Sequence, residues 1–203
     1  MRIAAPLVLT LALLAPAPSQ AQEVDDSRPA ATNVRGAQYP RVHPDGRVTF
    51  RLNAPHARTV VVNPGGGDNG LGPALEMQRD AEGIWTGTTE PAVPGFHYYW
   101  FVVDSLVVND PGTETFFGWG RQSSAVDIPD PSGDFYAPRE VPRGEVRERW
   151  YHSSTTGDWR RAYIYTPPGY ASEPSRRYPG LYLQHGAGED GRGWVKQGRM
   201  NFI

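Results

Sequence analysis

The residues best suited to chemistry lie between Leu181 and Asp190, where Leu181-Tyr182-Leu183-Gln184 is followed by His185-Gly186-Ala187-Gly188-Glu189-Asp190. The short apolar run Leu181-Tyr182-Leu183 reads as a strand buried on both faces, and a helix-like segment begins near Trp194. A buried strand that ends in a Gly-rich turn before a helix points free backbone N–H groups at a cleft. Gly186 and Gly188 permit unusual dihedrals and close approach of a ligand oxygen. In acyl transfer such a turn forms half of an oxyanion hole, where losing one donor costs about 3 kcal/mol of transition-state stabilisation. The same residues also fit a plain tight turn with His185 hydrogen-bonded in the core, and His-Gly-x-Gly is too short a motif to separate the two.

Other chemistry is sparsely represented. No Gly-x-Ser-x-Gly elbow, the usual seat of a hydrolase serine, occurs anywhere in the chain. Glu189 and Asp190 have no metal-ligand spacing with any histidine and read as a helix N-cap at the positive end of the dipole. Asp68-Asn69-Gly70 lacks the ligand spacing of a calcium loop and reads as a turn. Neither a metal nor a cofactor is expected. The arginines 139, 143, 147, 149, 160 and 161 alternate with Glu140, Glu145, Glu148 and Asp158, which makes a solvated, charge-paired face. A formal net charge of −2 and a pI near 6.2 carry no nucleic-acid or anionic-membrane signature.

The elements that must position the turn follow from composition. The chain holds 23 Gly and 20 Pro among 203 residues, with 38% hydrophobic and 11% aromatic residues, so it is turn-rich, β-rich and globular. Met1-Arg2-Ile3, an apolar run from Ala4 to Ala15 and small residues up to Ala21 describe a secretory signal peptide over 1–21, cleaved after Ala21. Periplasm and extracellular space both fit, no later stretch is apolar enough for a membrane span, and the absence of cysteine leaves stability to core packing. Short strands punctuated by turns over 36–128 argue for a β-sandwich. The segment 129–143, with Pro129, Pro131, Pro138 and Pro142, reads as a semi-rigid linker. Beyond it, Val146–His152 and Trp159–Tyr165 read as a hairpin.

Two resemblances join these features. The stretch Arg160-Arg161-Ala162-Tyr163-Ile164-Tyr165-Thr166-Pro167-Pro168-Gly169-Tyr170, then Tyr178-Pro179-Gly180-Leu181 through His185-Gly186, then Gly188-Glu189-Asp190, Trp194 and Gln197-Gly198-Arg199-Met200-Asn201, resembles the opening of the carbohydrate esterases. These are α/β-hydrolases of the feruloyl and acetyl-xylan esterase group, related to esterase D. The resemblance implies that N–H groups near Gly186 and Ala187 contribute to an oxyanion hole and that Trp194 lines an acyl pocket, helix-to-sheet packing of Trp194 being the alternative. The triad serine, acid and histidine of that family would follow beyond Ile203, so His185 is not its catalytic histidine. Residues 144–203 are then the N-terminal part of such a domain, C-terminally truncated inside what reads as a helix.

Upstream, Asp45-Gly46-Arg47-Val48-Thr49-Phe50-Arg51-Leu52-Asn53-Ala54-Pro55, Asp80-Ala81-Glu82-Gly83-Ile84-Trp85, Gly95 to Asp104 and Asn109-Asp110-Pro111 resemble the immunoglobulin-like carbohydrate-binding module of branching enzymes and isoamylases. The same module precedes the esterase domain in a group of bacterial feruloyl esterases, whose sequence continues much like Glu114-Thr115-Phe116-Phe117-Gly118. Trp85, Tyr98, Tyr99, Trp100, Phe116, Phe117 and Trp119 are candidate platforms for pyranose rings. Strand alternation puts Phe96, Tyr98, Trp100 and Val102 on one face and His97, Tyr99, Phe101 and Val103 on the other, so half of them at most can serve. Of these, Tyr98 and Trp100 are the candidates carried forward with Trp194. Where glucan-binding relatives carry a tryptophan, 63–72 carries glycines, which favours a structural module.

The expectation is therefore an all-β immunoglobulin-like sandwich followed by the incomplete start of an α/β-hydrolase. It belongs to a secreted serine esterase acting on acylated plant cell-wall polysaccharide or oligosaccharide, and without the elbow this chain is expected to be inactive alone. The rival is a non-catalytic carbohydrate-binding module. Because a parallel strand needs neighbours on both sides and helices on both faces, 144–203 is expected to be loosely held beside a folded 36–128.

Overall fold

Strict alternation over Gly95–Val103 sends His97, Tyr99 and Phe101 inward and leaves Phe96, Tyr98, Trp100 and Val102 half-buried on the other face. The computed structural model describes residues 25–66 and 70–203. Residues 1–24, on which the expected signal peptide falls, and 67–69 of the loop 63–70 lie outside the described residues. In chain order the strands are β1 (Arg28–Pro29), β2 (Arg41–Val42), β3 (Val48–Asn53), β4 (Val60–Pro64), β5 (Leu75–Glu76), β6 (Gln78–Arg79), β7 (Ile84–Thr88), β8 (Gly95–Val103), β9 (Leu106–Val108), β10 (Thr115–Gly118), β11 (Arg121–Ile128), β12 (Glu145–Ser153) and β13 (Asp158–Thr166). A single turn of 3-10 helix lies at Asp134–Tyr136, within the proline-rich connector, and a one-turn helix α1 spans Gly193–Lys196.

Strand pairing is antiparallel throughout. One sheet runs β1-β2-β3-β7-β6 and the other β10-β11-β8-β4-β5, with β9 added on β8. The two face each other as a sandwich. The apolar core lies between them, with Val48 and Phe50 from β3, Trp85 from β7, Val60 and Val62 from β4, Tyr99 and Phe101 from β8, and Val126 and Ile128 from β11. Phe50 meets Tyr99 edge-on at 4.7 Å between ring centroids and Phe101 at 6.4 Å, the arrangement that ring quadrupoles favour. Trp85 and Tyr99 are thereby core residues, and the indole N–H of Trp85 donates to the Ala54 carbonyl at 2.9 Å. They are not available as sugar platforms.

A buried carboxylate is among the polar groups of this core. The buried Asp110 carboxylate accepts from the Tyr99 hydroxyl at 2.7 Å and from the Gly112 N–H at 2.6 Å, while its own N–H donates to Ser124 Oγ at 2.8 Å. Burial pushes the carboxyl above its ordinary range, with the Tyr99 and Gly112 hydrogen bonds acting the other way. The same burial holds the Tyr99 phenol well above its usual value.

Beyond the connector the structure departs from expectation. β12 and β13 pair in register from Glu145↔Thr166 to Ser153↔Asp158 but, among the described residues, only with each other. Trp150 and Trp159 are 60% and 62% exposed. The run Leu181-Tyr182-Leu183 is not a buried strand: it joins no sheet and Tyr182 is 95% exposed. The physical reason is the one that makes such runs informative, since an apolar strand is buried only when strands flank it and helices cover it. The described residues supply neither, so the α/β-hydrolase start is not formed as a sheet here.

Two outcomes follow. A lone two-stranded ribbon is marginal in water, so amides of β12 and β13 are expected to exchange about a hundredfold faster or more than those of β8 and β11. Equal protection would contradict this. A folded-state pKa raised above the unfolded value near 4 means Asp110 contributes most below that value and loses its contribution as pH rises through the folded one. Wild type is therefore expected to lose stability relative to Asp110→Asn between pH 4 and pH 7 in chemical denaturation, and a constant or rising relative stability would contradict it.

Candidate functional site

The outward face of β8 lies beneath the glycine-rich turn. Gly186, Ala187 and Glu189 from that turn, Phe96 and Tyr98 from β8, Gly65 after β4, and Trp119 enclose a cleft of about 330 Å³. Neither Gly186 nor Ala187 donates its N–H to a backbone acceptor among the described residues. His185 sits beside the cleft, with Nδ1 2.9 Å from the Gly186 carbonyl. It is part of the turn and not of the core.

Trp119 is held in an unusual way. β10 and β11 pair up to Gly118↔Arg121, leaving Trp119-Gly120 as a two-residue turn with φ of 59° and 70°. Both left-handed residues suit such a hairpin, but a bulky residue there is strained by about 1 kcal/mol or more. Its indole lies against Gly65-Gly66. A Cβ on Gly65 would sit 2.7 Å from the indole Nε1, and one on Gly66 would sit 2.3 Å from Cζ2. The ring is nevertheless 54% exposed, so it forms a wall of the cleft.

The sandwich grips the turn directly. The Tyr98 hydroxyl donates to Glu189 Oε1 at 2.8 Å and accepts from Gln197 Nε2 at 2.8 Å. Gln197 also donates to the Phe117 carbonyl at 3.2 Å, and the Gly120 N–H donates to the Gly188 carbonyl at 2.8 Å. Arg199 pairs with the largely buried Asp127 carboxylate of β11. Neither carboxylate caps α1, whose N-cap residue is Arg192 with no side-chain capping hydrogen bond. Asp190 instead makes a local turn, accepting the Arg192 N–H through Oδ1 at 2.9 Å and the Gly193 N–H through its carbonyl at 3.0 Å. Hydrogen bonds from Arg192 hold the Asp190 carboxyl below its usual range. Glu189 is no cap, because its carboxylate is turned to Tyr98.

Of the residues singled out in the sequence, Gly186, Ala187 and Tyr98 come together at the cleft. Trp100 shares the outward face of β8 but lies under the Arg121 guanidinium, 5.4 Å from the ring centroid. Trp194 lies outside the cleft lining, with its Nε1–H donating to the Gln184 carbonyl at 2.9 Å, and so ties α1 to the segment before the turn. Trp119 was one aromatic among seven in the sequence. Its distinguishing signal is Gly118-Trp119-Gly120 between two strands, a two-residue turn with tryptophan where Asn or Asp is usual. Among the described residues no three His, Asp or Glu side chains gather to hold a metal ion, and no helix is long and apolar enough to cross a membrane.

Comparison with known protein-family models finds no match. A protein of Xylanibacter ruminicola named endo-1,4-beta-xylanase/feruloyl esterase is 41% identical over 184 residues, which is 88% of this chain and 25% of that protein. The chain thus spans a quarter of the length of that curated relative. Among solved structures, enterobactin esterase from Shigella flexneri matches 58% of this chain and 39% of its own at 21% identity and a TM-score of 0.42. Type I pullulanase from Bacillus subtilis matches 49% and 14% at 20% identity and a TM-score of 0.35. The protein is related in sequence to a carbohydrate-esterase polypeptide and carries a β-sandwich.

The contact between Trp119 and Gly65 can be tested without touching the turn. Gly65 has no left-handed φ, so Gly65→Ala acts by volume alone and is expected to displace the indole at a cost of about 1–3 kcal/mol. In 5-fluorotryptophan-labelled protein the Trp119 resonance, assigned through Trp119→Phe, should shift most among the six tryptophans. An unmoved resonance would show that the indole does not rest on Gly65.

Proposed function

We propose that this chain is the N-terminal portion of an exported serine carboxylic-ester hydrolase acting on feruloyl or acetyl esters of plant cell-wall polysaccharide. In this reading 1–21 is a cleaved signal peptide, 36–128 an immunoglobulin-like module, 129–143 a linker and 144–203 the opening of an α/β-hydrolase domain. The observation that carries it is the cleft, where the glycine-rich turn faces aromatic side chains of the sandwich. The relative named for feruloyl esterase activity, 41% identical over 88% of the chain, supports it independently.

The chemistry is acyl transfer, with the N–H groups of Gly186 and Ala187 donating hydrogen bonds to the substrate carbonyl oxygen as negative charge develops on it. Such donors cost no reorganisation when they are fixed beforehand. Trp119 and Phe96 offer apolar surface for the acyl or sugar ring beside that carbonyl. Among the described residues no serine lines the cleft, and the sequence holds no Gly-x-Ser-x-Gly elbow. Binding without turnover is therefore the expected behaviour of this polypeptide alone. The alternative, a non-catalytic carbohydrate-binding module, is favoured by one observation, the exposed Trp119 on the sandwich itself.

The purified chain is expected to bind methyl ferulate without hydrolysing it, and Trp119→Ala to weaken binding about tenfold, read by ligand-detected NMR. The reading fails if methyl ferulate does not bind at all. Affinity electrophoresis on soluble xylan or glucan separates the alternative: retention of the chain with no methyl ferulate binding would favour the carbohydrate module. The reading of the longer polypeptide is tested by the sequence encoded after Ile203, which is expected to supply Gly-x-Ser-x-Gly followed by an acid and a histidine.

A further inference from the structure

The cleft is built from two parts of the chain that are far apart in sequence, so something must fix the turn on the sandwich. The geometry points to Tyr98 as the positioning residue of the glycine-rich turn: through Glu189 it holds the Gly186 and Ala187 N–H groups at the cleft, so that the sandwich presets the anion cradle of the esterase. This rests on the function proposed above.

Three observations carry it. The Tyr98 hydroxyl is engaged on both sides, donating to Glu189 Oε1 and accepting from Gln197 Nε2, each at 2.8 Å. These two partners bracket the turn and α1, so a single phenol ties both to β8. Beside it, the Gly120 N–H donates to the Gly188 carbonyl at 2.8 Å, a second anchor two residues beyond Gly186.

The backbone is also cleared for this contact. A Cβ on Gly118 would lie 2.3 Å from Cζ of Tyr98, so any side chain there would expel the ring. Gly188 has a φ of +80°, and a Cβ on it would lie 3.1 Å from the Gly120 nitrogen and 3.2 Å from Cα of Trp119. Glycine at both places is what lets the turn and the sandwich approach this closely. Burial holds the Tyr98 phenol far above its usual range, so it remains a donor across the physiological span of pH.

Tyr98 acts through Glu189 and not on the reacting atoms. The test therefore reads exchange of the Gly120 amide in the full 203-residue chain, whose hydrogen bond to the Gly188 carbonyl reports the seating of the turn, against the amides of β8 and β11, which report the sandwich itself. Tyr98→Phe and Glu189→Ala are each expected to speed Gly120 exchange about tenfold while amides of β8 and β11 keep their protection. Glu189→Gln retains an acceptor oxygen and should keep Gly120 protected to within about twofold. The double variant should be no worse than either single one, as for two members of one contact.

Methyl ferulate binding forms the second arm, with affinity for Tyr98→Phe expected to fall about tenfold. Unchanged Gly120 exchange in both Tyr98→Phe and Glu189→Ala would overturn the inference, as would equal acceleration at every β8 and β11 amide. A wild-type chain that fails to bind methyl ferulate would remove the esterase reading, while Gly120 exchange would still decide whether Tyr98 holds the turn. Equal binding by wild type and Tyr98→Phe would leave the esterase reading intact and overturn the positioning role.

Discussion

The two-residue repeat of β8 is the constraint from which the rest follows. Successive side chains of an extended strand must face opposite ways, and here each face has a separate task. Tyr99 and Phe101 close the sandwich core against Phe50 of the other sheet, with the buried His97 on the same face. Tyr98, between them, is delivered to the outside, where it meets Glu189 and Gln197. A one-residue slip of β8 against β4 and β11 would exchange the two sets. The core and the cleft are thus fixed by the same register.

That coupling explains why the sandwich tolerates local strain. Trp119 sits in a left-handed turn that glycine or asparagine would occupy more comfortably, and its ring needs bare glycine at 65 and 66. Such strain persists only when the surroundings over-determine it, and it gathers where a ligand is handled. The cost is met by the core of the same sheet, in which Tyr99, Asp110 and Ser124 form a hydrogen-bonded group with its partners satisfied. A well-buried sheet therefore presents a strained, exposed aromatic at its edge turn.

Much of this was legible in the sequence, and the reasons differ from residue to residue. The alternation in 95–103 announced a strand with one core face, and Asp45-Gly46 and Asp80 to Gly83 marked turns, because these signals are local. The hairpin over 145–166 was legible for the same reason. The apolar run Leu181-Tyr182-Leu183 predicts burial by itself, yet burial depends on neighbours that local sequence does not specify. Glu189, with Asp190, reads as a cap because the sequence shows carboxylates before a helix, though neither caps α1. The real partner of Glu189, Tyr98, is 91 residues away. Trp119 is marked in the sequence only by its flanking glycines, while its left-handed backbone and the bare Gly65-Gly66 surface beneath its ring are tertiary features.

The central claim is that one ligand site is assembled jointly by the sandwich and the glycine-rich turn. Isotope-filtered NOE spectra of the chain with bound methyl ferulate test it most directly. The account predicts contacts from the ligand ring to the Trp119 indole together with contacts from the ester end to the Gly186 and Ala187 amides. Contacts confined to one of these two sides, or to residues away from both, would contradict it.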